Sequence, residues 1–457
     1  MLRFGTDGLR GQANAELSPE LVTALGRAAA RALGAVPLEG RRRFIVGRDT
    51  RWSGPLLQAA LSAGLAGEGV DVVDVGVLPT PAVAFISAEQ GAPAAVISAS
   101  HNPYGDNGVK FFAAGGTKLS DDVEEGLETE LDALLATHDR AGAPTGRGVG
   151  RISPDAGALA RYERYVLSCL EGRRLGGMRV ALDCANGAAS VSAPQVFEAA
   201  GAQIVSVLSA EPDGANLNDG CGSTDPRRLA ETVVSKRADL GLAFDGDADR
   251  VIAVDASGNV VDGDRLLALF ATDFAQRGLL AGGTVVVTVM TNLGFHEAMA
   301  AAGVNVHTVG VGDRYVLEAL DAKGWALGGE QSGHIVFRTL ATTGDGVLSG
   351  LLLADLVARS NTNLADMAAA ALRRWPQVLR NVAVADRDGL AEASAVWEEV
   401  QEAERALGQH GRVLLRPSGT EPLVRVMVEA PTQEAAEAAA ERIVSALHTA
   451  LGGVTSP

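Results

Sequence analysis

The chain has 457 residues, a length that at about 150 residues per domain predicts roughly three domains, each able to bury its own core. Its 39 Lys and Arg against 56 Asp and Glu give a formal net charge of −17. Phosphodiester backbones and anionic lipid would meet net repulsion, which argues against nucleic-acid and membrane-surface partners. With 47% hydrophobic and 21% charged residues, 55 Gly and 17 Pro, the composition is that of a globular protein and not of a disordered one.

Three cysteines, Cys169, Cys184 and Cys221, form no Cys-x-x-Cys pair, so neither a disulfide framework nor a thiolate zinc site is indicated and a reducing cytosol fits. The N-terminus lacks an apolar run of signal-peptide length, and the rich run from Leu348 to Val357 is broken by Asp355. A soluble, cytoplasmic protein is expected.

In chain order, three segments share one pattern: a β-branched run, a loop, an Ala-rich helical stretch closing on Gly, and a second β-branched run. They begin at Phe44-Ile45-Val46-Gly47, Val180-Ala181-Leu182-Asp183 and Val285-Val286-Val287-Thr288. The closing glycines suit the left-handed residue that ends a helix. A further strand follows in each: Ala95-Val96-Ile97, Gly241-Leu242-Ala243-Phe244 and Trp325-Ala326-Leu327. Strands alternating with helices predict an α/β domain written three times, with a largely parallel sheet. From about Leu372 the pattern changes. Val382-Ala383-Val384, Arg412 to Arg416 and Leu423 to Val428 read as strands, and Gln433 to Leu451 as a helix. A smaller C-terminal α+β domain is expected, with boundaries near Pro154, Ser257 and Arg374, giving segments 1–154, 155–257, 258–373 and 374–457.

Ligands of α/β sheets sit beyond the carboxyl ends of strands, so the loop after the third strand of each repeat holds the candidate chemistry. In the first, Ser98-Ala99-Ser100-His101-Asn102-Pro103-Tyr104-Gly105-Asp106-Asn107-Gly108-Val109-Lys110 folds back through Asn-Pro and two glycines and exposes one hydroxyl, making Ser100 the candidate nucleophile. The surroundings are not Gly-x-Ser-x-Gly, which disfavours a serine hydrolase. In the second, Asp245-Gly246-Asp247-Ala248-Asp249-Arg250 places three carboxylates at i, i+2 and i+4. In a compact loop they repel unless a hard cation neutralises them, and Mg²⁺ is the natural candidate. An EF-hand is excluded, because its sixth and twelfth positions hold Arg250 and Ala256 here.

In the third repeat, Gly328-Gly329-Glu330-Gln331-Ser332-Gly333-His334 offers Glu330 and Ser332 to sugar hydroxyls and His334 to proton movement. The last domain contains Arg416-Pro417-Ser418-Gly419-Thr420-Glu421-Pro422, followed by Arg425. Two guanidiniums, two hydroxyls and turn N–H groups make a phosphate nest, and it is not a Walker loop. Gly5 to Gly11 and Gly47-Arg48-Asp49-Thr50-Arg51 either add guanidiniums facing the same anion or form structural turns with surface ion pairs. A nucleophile, a metal loop, a sugar loop and a phosphate clamp together describe phosphoryl transfer on a phosphosugar.

The runs Ser98 to Pro103, Asp245 to Arg250, Gly329 to His334 and Arg416 to Glu421 resemble, in order, the four marker loops of the α-D-phosphohexomutase family. Phe4 to Gly11, Ala99 to Gly108 and Gly329 to Ser332 are most similar to its members acting on amino-sugar phosphates. The resemblance implies four domains, three α/β with mixed sheets between helices and a smaller C-terminal α+β domain, around a central cleft. It implies a phosphorylated Ser100 whose phosphate completes a Mg²⁺ shell beside Asp245, Asp247 and Asp249. It also implies a bisphosphate intermediate that reorients between two transfers. On this reading Lys110 and His334 are candidates for proton transfer and Arg10 and Arg250 for transition-state charge. Glu330 and Ser332 would hold the ring hydroxyls, and Arg416, Ser418, Gly419, Thr420 and Arg425 the non-reacting phosphate. Asp313-Arg314 is placed lower, as a pair ordering the site. The partner is a small phosphosugar. A hexose 1,6-bisphosphate primer is one source of the first phosphate, beside self-phosphorylation and a kinase, and a homodimer is the assembly to test. Rival readings are a sister activity on glucose or mannose phosphates, a phosphatase with an Asp245 nucleophile, and a non-catalytic sugar-phosphate sensor.

Overall fold

The structure is a computed structural model and describes residues 3–5, 8–33, 37–38, 40–137, 142–360, 362–417 and 423–452. The chain divides into two compact units, one formed by 1–290 and 303–370, the other by 291–302 and 371–457.

In the larger unit the α/β pattern appears three times with one strand order. Each repeat starts with a central strand: Arg41–Arg48, Arg179–Asp183 or Thr284–Thr288. The chain crosses to a parallel outer strand, Asp71–Val77, Gln203–Leu208 or Asn305–Val309. It returns through a helix to a parallel strand on the other side of the first, Ala94–Ile97, Leu240–Phe244 or Leu327–Gly329. The central strand is thus where the sheet order reverses, the place where α/β sheets open a crevice at their carboxyl edge. The third repeat strand begins at Leu327, later than the Trp325 start read from sequence.

The sheets are not largely parallel as the strand–helix alternation suggests. After the third strand each repeat turns back directly as an antiparallel strand, Asp106–Phe112, Val251–Asp255 or Ile335–Phe337. A hairpin needs only a short connection where a parallel return needs a helical crossover. The mixed sheets implied by the family resemblance are what the chain forms. The consequence for function is direct. The loops 98–105, 245–250 and 330–334 are these three hairpin connections, at the same topological position in each repeat.

The first repeat is enlarged. Gly8–Gln12 pairs antiparallel with Asp106–Phe112, and helices Pro19–Ala32 and Gly54–Gly67 pack on the sheet through Leu25, Leu57, Leu61 and Phe44, all fully buried. The two helices touch at Gly26 and Gly64, where a Cβ on either residue would run into the carbonyl of Leu61 or Thr23 on its partner.

A buried bond joins the second and third repeats. The Tyr162 hydroxyl, on helix Ala158–Ser168, lies 2.9 and 3.0 Å from the two carboxylate oxygens of Asp345. Asp345 also caps helix Gly346–Arg359 by accepting from Leu348 N at 2.9 Å. Gly346 N donates to Ala248 O at 3.0 Å, so this cap fastens the acidic loop of the second repeat to the third.

The smaller unit is a three-stranded antiparallel sheet, Gln377–Ala383, Leu423–Glu429 and Arg412–Pro417, with Leu423–Glu429 in the centre. Helices Ser394–Leu407 and Gln433–Leu451 cover it through Val396, Val400, Ile443 and Leu447. Helix Leu293–Ala301 belongs to it as well. Fully buried Glu429 accepts from Asn292 Nδ2 at 2.9 Å and Leu293 N at 3.0 Å, and pairs with Arg412 at 2.7 Å. Among the described residues no helix is long and apolar enough to cross a membrane.

Two outcomes test this description. Gly64→Ala forces the crossing helices apart and is expected to destabilise the protein by about 1–3 kcal/mol, read from the urea midpoint; an unchanged midpoint contradicts the close approach. Burial pushes the Asp345 carboxyl up to about 6 from its ordinary 3.8, although Leu348 N and the Tyr162 hydroxyl offset part of it. A raised folded-state value means that stability is present below about pH 4 and is lost as pH rises to about 6. Asp345→Asn keeps both acceptor contacts without the charge, so its stability relative to the wild type should rise across that window. A pH-independent difference contradicts the assignment.

Candidate active site

The acidic loop is built by the end of strand Leu240–Phe244, whose five residues are all buried. The chain then turns sharply: Ala248 adopts φ 58°, and Ala248 N donates to Asp245 O at 3.1 Å. Asp245, Asp247 and Asp249 all point into one buried space, each offering an oxygen within 4.8 Å of the others. Thr80, which opens helix Thr80–Gln90, holds the middle carboxylate, its hydroxyl 2.7 Å from Asp247 Oδ2 and its N–H 2.9 Å from Asp247 O. Lys110, buried on strand Asp106–Phe112, donates to Asp247 Oδ2 at 2.9 Å and lies 3.4 Å from Asp249 Oδ2. Asp247 Oδ1 and Asp249 Oδ1 are buried and accept no hydrogen bond among the described residues. Hard oxygen donors left over in this way fit a hard divalent cation.

The three carboxylates are not equivalent. Burial, with Asp249 and Asp247 alongside, pushes the Asp245 carboxyl well above the usual range. Burial acts on Asp249 in the same sense, but the Lys110 ammonium, His334 and the Arg250 guanidinium outweigh it and hold Asp249 well below.

Ser100 meets this loop directly. Its hydroxyl donates to Asp245 Oδ2 at 2.6 Å, and its backbone sits at φ 51°, a left-handed conformation that costs a non-glycine residue about 1–3 kcal/mol and persists only where the surroundings fix it. The approach is close: a Cβ on Gly246 would stand 2.6 Å from Ser100 O. Asn218 Nδ2 donates to the same carbonyl at 3.0 Å.

His101, next to the serine, is a site residue that the sequence reading did not single out, although it stands inside the motif. Its Nδ1 lies 3.3 Å from Ser100 Oγ and 2.9 Å from Arg250 Nη1. Burial and the guanidiniums of Arg250 and Arg10 lower its pKa to about 4, so the imidazole is neutral at physiological pH. Arg10 lies on strand Gly8–Gln12 opposite Gly108. Thr80 and Asn218 were missed too, since nothing local in their segments announces a contact with loops more than a hundred residues away.

The third loop is stitched to the second by Val251 N donating to Gly333 O at 3.1 Å. His334 is buried, with Nδ1 3.7 Å from Asp249 Oδ1 and Nε2 3.5 Å from Asp313 Oδ2. Burial alone would lower its pKa, but Asp249, Asp313 and Glu330 raise it to about 9. Asp313 also pairs with Lys118 at 2.5 Å, and Arg314 pairs with Asp121 and Glu124 of the first repeat. Glu330 accepts from Gly312 N at 3.2 Å and faces the Ser332 hydroxyl at 3.5 Å.

One sequence expectation is corrected here. Arg51 neither faces a phosphate site nor forms a surface pair: it is buried against the Asp49 carboxylate at 2.9 Å, both side chains at 0% exposure. The first three loops therefore meet in the larger unit: Ser100, Lys110, Arg250 and His334 reach the aspartates directly, Arg10 acts on His101, and Glu330 and Ser332 stand in the loop that carries His334. Arg416 and Arg425 belong to the smaller unit, opposite one another on paired strands. Ser418, Gly419 and Thr420 lie outside the described residues.

The chain matches four family domains in order. They are phosphoglucomutase/phosphomannomutase alpha/beta/alpha domain I over residues 1–137, domain II over 160–258, domain III over 262–375 and the C-terminal domain over 379–446. It is 51% identical over 448 residues to a phosphoglucosamine mutase of Mycolicibacterium paratuberculosis, covering 98% of this chain and 99% of that protein. It is 52% identical over 441 residues to one of Rhodococcus opacus, covering 96% and 98%. Among solved structures, a phosphoglucomutase/phosphomannomutase family protein of Burkholderia thailandensis superposes with a TM-score of 0.80 at 25% identity, covering 97% of each chain. An Aspergillus fumigatus N-acetylphosphoglucosamine mutase, solved with GlcNAc-6P and magnesium, shares the fold with a TM-score of 0.70 at 19% identity, covering 98% of this chain and 96% of that one. Four matched domains in sequence, three of them carrying a hairpin loop into one buried acidic centre, establish that the chain belongs to the phosphoglucomutase/phosphomannomutase family.

Proposed function

We propose that this chain interconverts glucosamine 6-phosphate and glucosamine 1-phosphate through a phosphorylated Ser100 and a glucosamine 1,6-bisphosphate. The observation that carries the reading is the 2.6 Å contact between the Ser100 hydroxyl and Asp245 of a buried acidic triad with oxygens to spare. The choice of amino sugar is supported by the phosphoglucosamine mutases that match at 51% and 52% identity over nearly the whole chain.

Asp245, Asp247 and Asp249 would hold Mg²⁺ together with a phosphate oxygen on Ser100. When bound, the ion would neutralise charge on the phosphoryl oxygens as the ester bond loosens. The protein's own groups do the rest. In the first transfer the P–Oγ bond of Ser100 breaks and a bond forms to the free sugar hydroxyl. The hydroxyl gives up its proton and Ser100 Oγ takes one up. The bisphosphate then turns so that its other phosphate faces Ser100, and the same exchange runs in reverse. Lys110 and His334 carry the protons: His334 presents Nδ1 toward Asp249 while its Nε2 accepts from Gly344 N at 3.2 Å, and Lys110 Nζ stands at the acidic loop. Arg10 and Arg250 offset the charge that spreads over the phosphoryl oxygens in flight.

Glu330 and Ser332 accept and donate to the ring hydroxyls in either orientation. Arg416, Ser418, Gly419, Thr420 and Arg425 hold the phosphate that is not reacting. The 1,6-bisphosphate also serves as primer when Ser100 starts unphosphorylated.

Ser100→Ala should reduce mutase turnover to background and remove the phosphoryl group detected on the intact protein by mass spectrometry. That group should resist hydroxylamine in the wild type, as a seryl ester does. Hydroxylamine-labile phosphate would instead make an aspartate, and so a phosphatase-like reaction, the nucleophile. For the cation, Mg²⁺ at about 100 times its dissociation constant should stabilise the metal-free protein by about 2.7 kcal/mol. Thermal unfolding of wild type and Asp247→Asn checks this, and equal shifts in both would remove the triad as the site.

A further inference from the structure

One buried guanidinium holds the loop that presents Ser100. Arg51 is 1% exposed. Its Nη2 donates to the carbonyls of Ser100 and Asn102, both at 2.8 Å, and its Nη1 to Asp106 O at 2.9 Å and to Pro103 O. Its Nε completes the set on Asp49 Oδ2 at 2.9 Å. Asp49 Oδ2 accepts in turn from the Ser98 hydroxyl at 2.6 Å, and Ser98 Oγ accepts from Ser100 N at 2.9 Å. Ser100 is thus held at both of its peptide groups by one connected set of three side chains, at a φ of 51° that an L-residue seldom adopts unforced.

We propose that Arg51 is a positioning residue for phosphoryl transfer: by binding the carbonyls of the loop it fixes the left-handed Ser100 that aims Oγ at Asp245. This deepens the mutase reading and rests on it. A phosphate-binding role for Arg51 is excluded by the same geometry, since its guanidinium is buried and engaged by the loop's carbonyls and Asp49. Lysine is no substitute, because an ammonium has three donors at one point where the loop needs a planar fork reaching four carbonyls and a carboxylate.

The test compares wild type with Arg51→Ala, Arg51→Lys and Ser98→Ala, using Leu57→Ala, a fully buried position in the same domain, as a control for lost stability. Mutase activity is measured with a bisphosphate primer. Arg51→Ala is expected to lower kcat by about 100-fold, the scale of a misplaced reacting group, with KM changed by less than about threefold. Arg51→Lys should share most of that loss and Ser98→Ala part of it. Millimolar ethylguanidinium should restore activity to Arg51→Ala, while sodium chloride at the same ionic strength should not. Leu57→Ala should keep its kcat at a temperature where it is fully folded.

The proposal is overturned if Arg51→Ala keeps kcat near the wild-type value, or if its loss follows stability as in the control and guanidinium gives no rescue. Should Arg51→Ala not fold, wild-type kcat in both Arg51→Lys and Ser98→Ala overturns it equally. An inactive wild type would sink the mutase reading and this inference together. An active wild type with unaffected variants sinks this inference alone.

Discussion

Three carboxylates buried within 4.8 Å of one another set the terms for everything around them. Such a group is untenable in a low-dielectric interior unless cations and donors surround it, and the larger unit delivers them from every side. Lys110 comes from the first repeat, Arg250 follows the acidic loop itself, and His334 comes from the third repeat. The supply is uneven. Asp249 is over-compensated and stays ionised, while Asp245, farthest in balance from the cations, has its pKa raised and takes the Ser100 hydroxyl. Among the described residues two oxygens of the three carboxylates still accept no hydrogen bond, and such hard donors fit a divalent ion.

The convergence of those groups follows from a single topology used three times. Because each repeat reverses strand order at its central strand and then returns as a hairpin, each exports a polar loop at the same carboxyl edge. One loop supplies a hydroxyl, one the carboxylates, one Glu330, Ser332 and His334. The repeats are fastened by bonds made at the loops and not only by apolar packing: Thr80 to Asp247, Gly333 to Val251, Gly346 to Ala248, Lys118 to Asp313. The contacts that join the repeats are therefore also contacts that shape the site.

Much of this was legible in the sequence because the loops break sharply from apolar strands. Asp245 to Arg250 follows five buried residues without a spacer, and no solvated turn needs three alternating carboxylates there. The repeated run, helix and closing glycine exposed the threefold plan. The antiparallel returns were not legible from periodicity. Asp106–Phe112 begins with turn-forming residues and ends in two aromatics, and its antiparallel partners, Ala94–Ile97 and Gly8–Gln12, are set by the fold. The burial of Arg51 was not legible for a related reason. An aspartate and an arginine two residues apart look like a surface pair, and only the fold reveals that the Ser98–Asp106 segment closes over them.

The most direct test of the account is phosphorus NMR of the protein with Mg²⁺, a trace of hexose 1,6-bisphosphate and, in separate tubes, the 6-phosphates of glucosamine, glucose and mannose. The account predicts the 1-phosphate of glucosamine as the fastest-forming product, without accumulation of inorganic phosphate. Faster conversion of glucose or mannose phosphate would contradict the substrate assignment, and inorganic phosphate as the sole product would contradict the mutase chemistry itself.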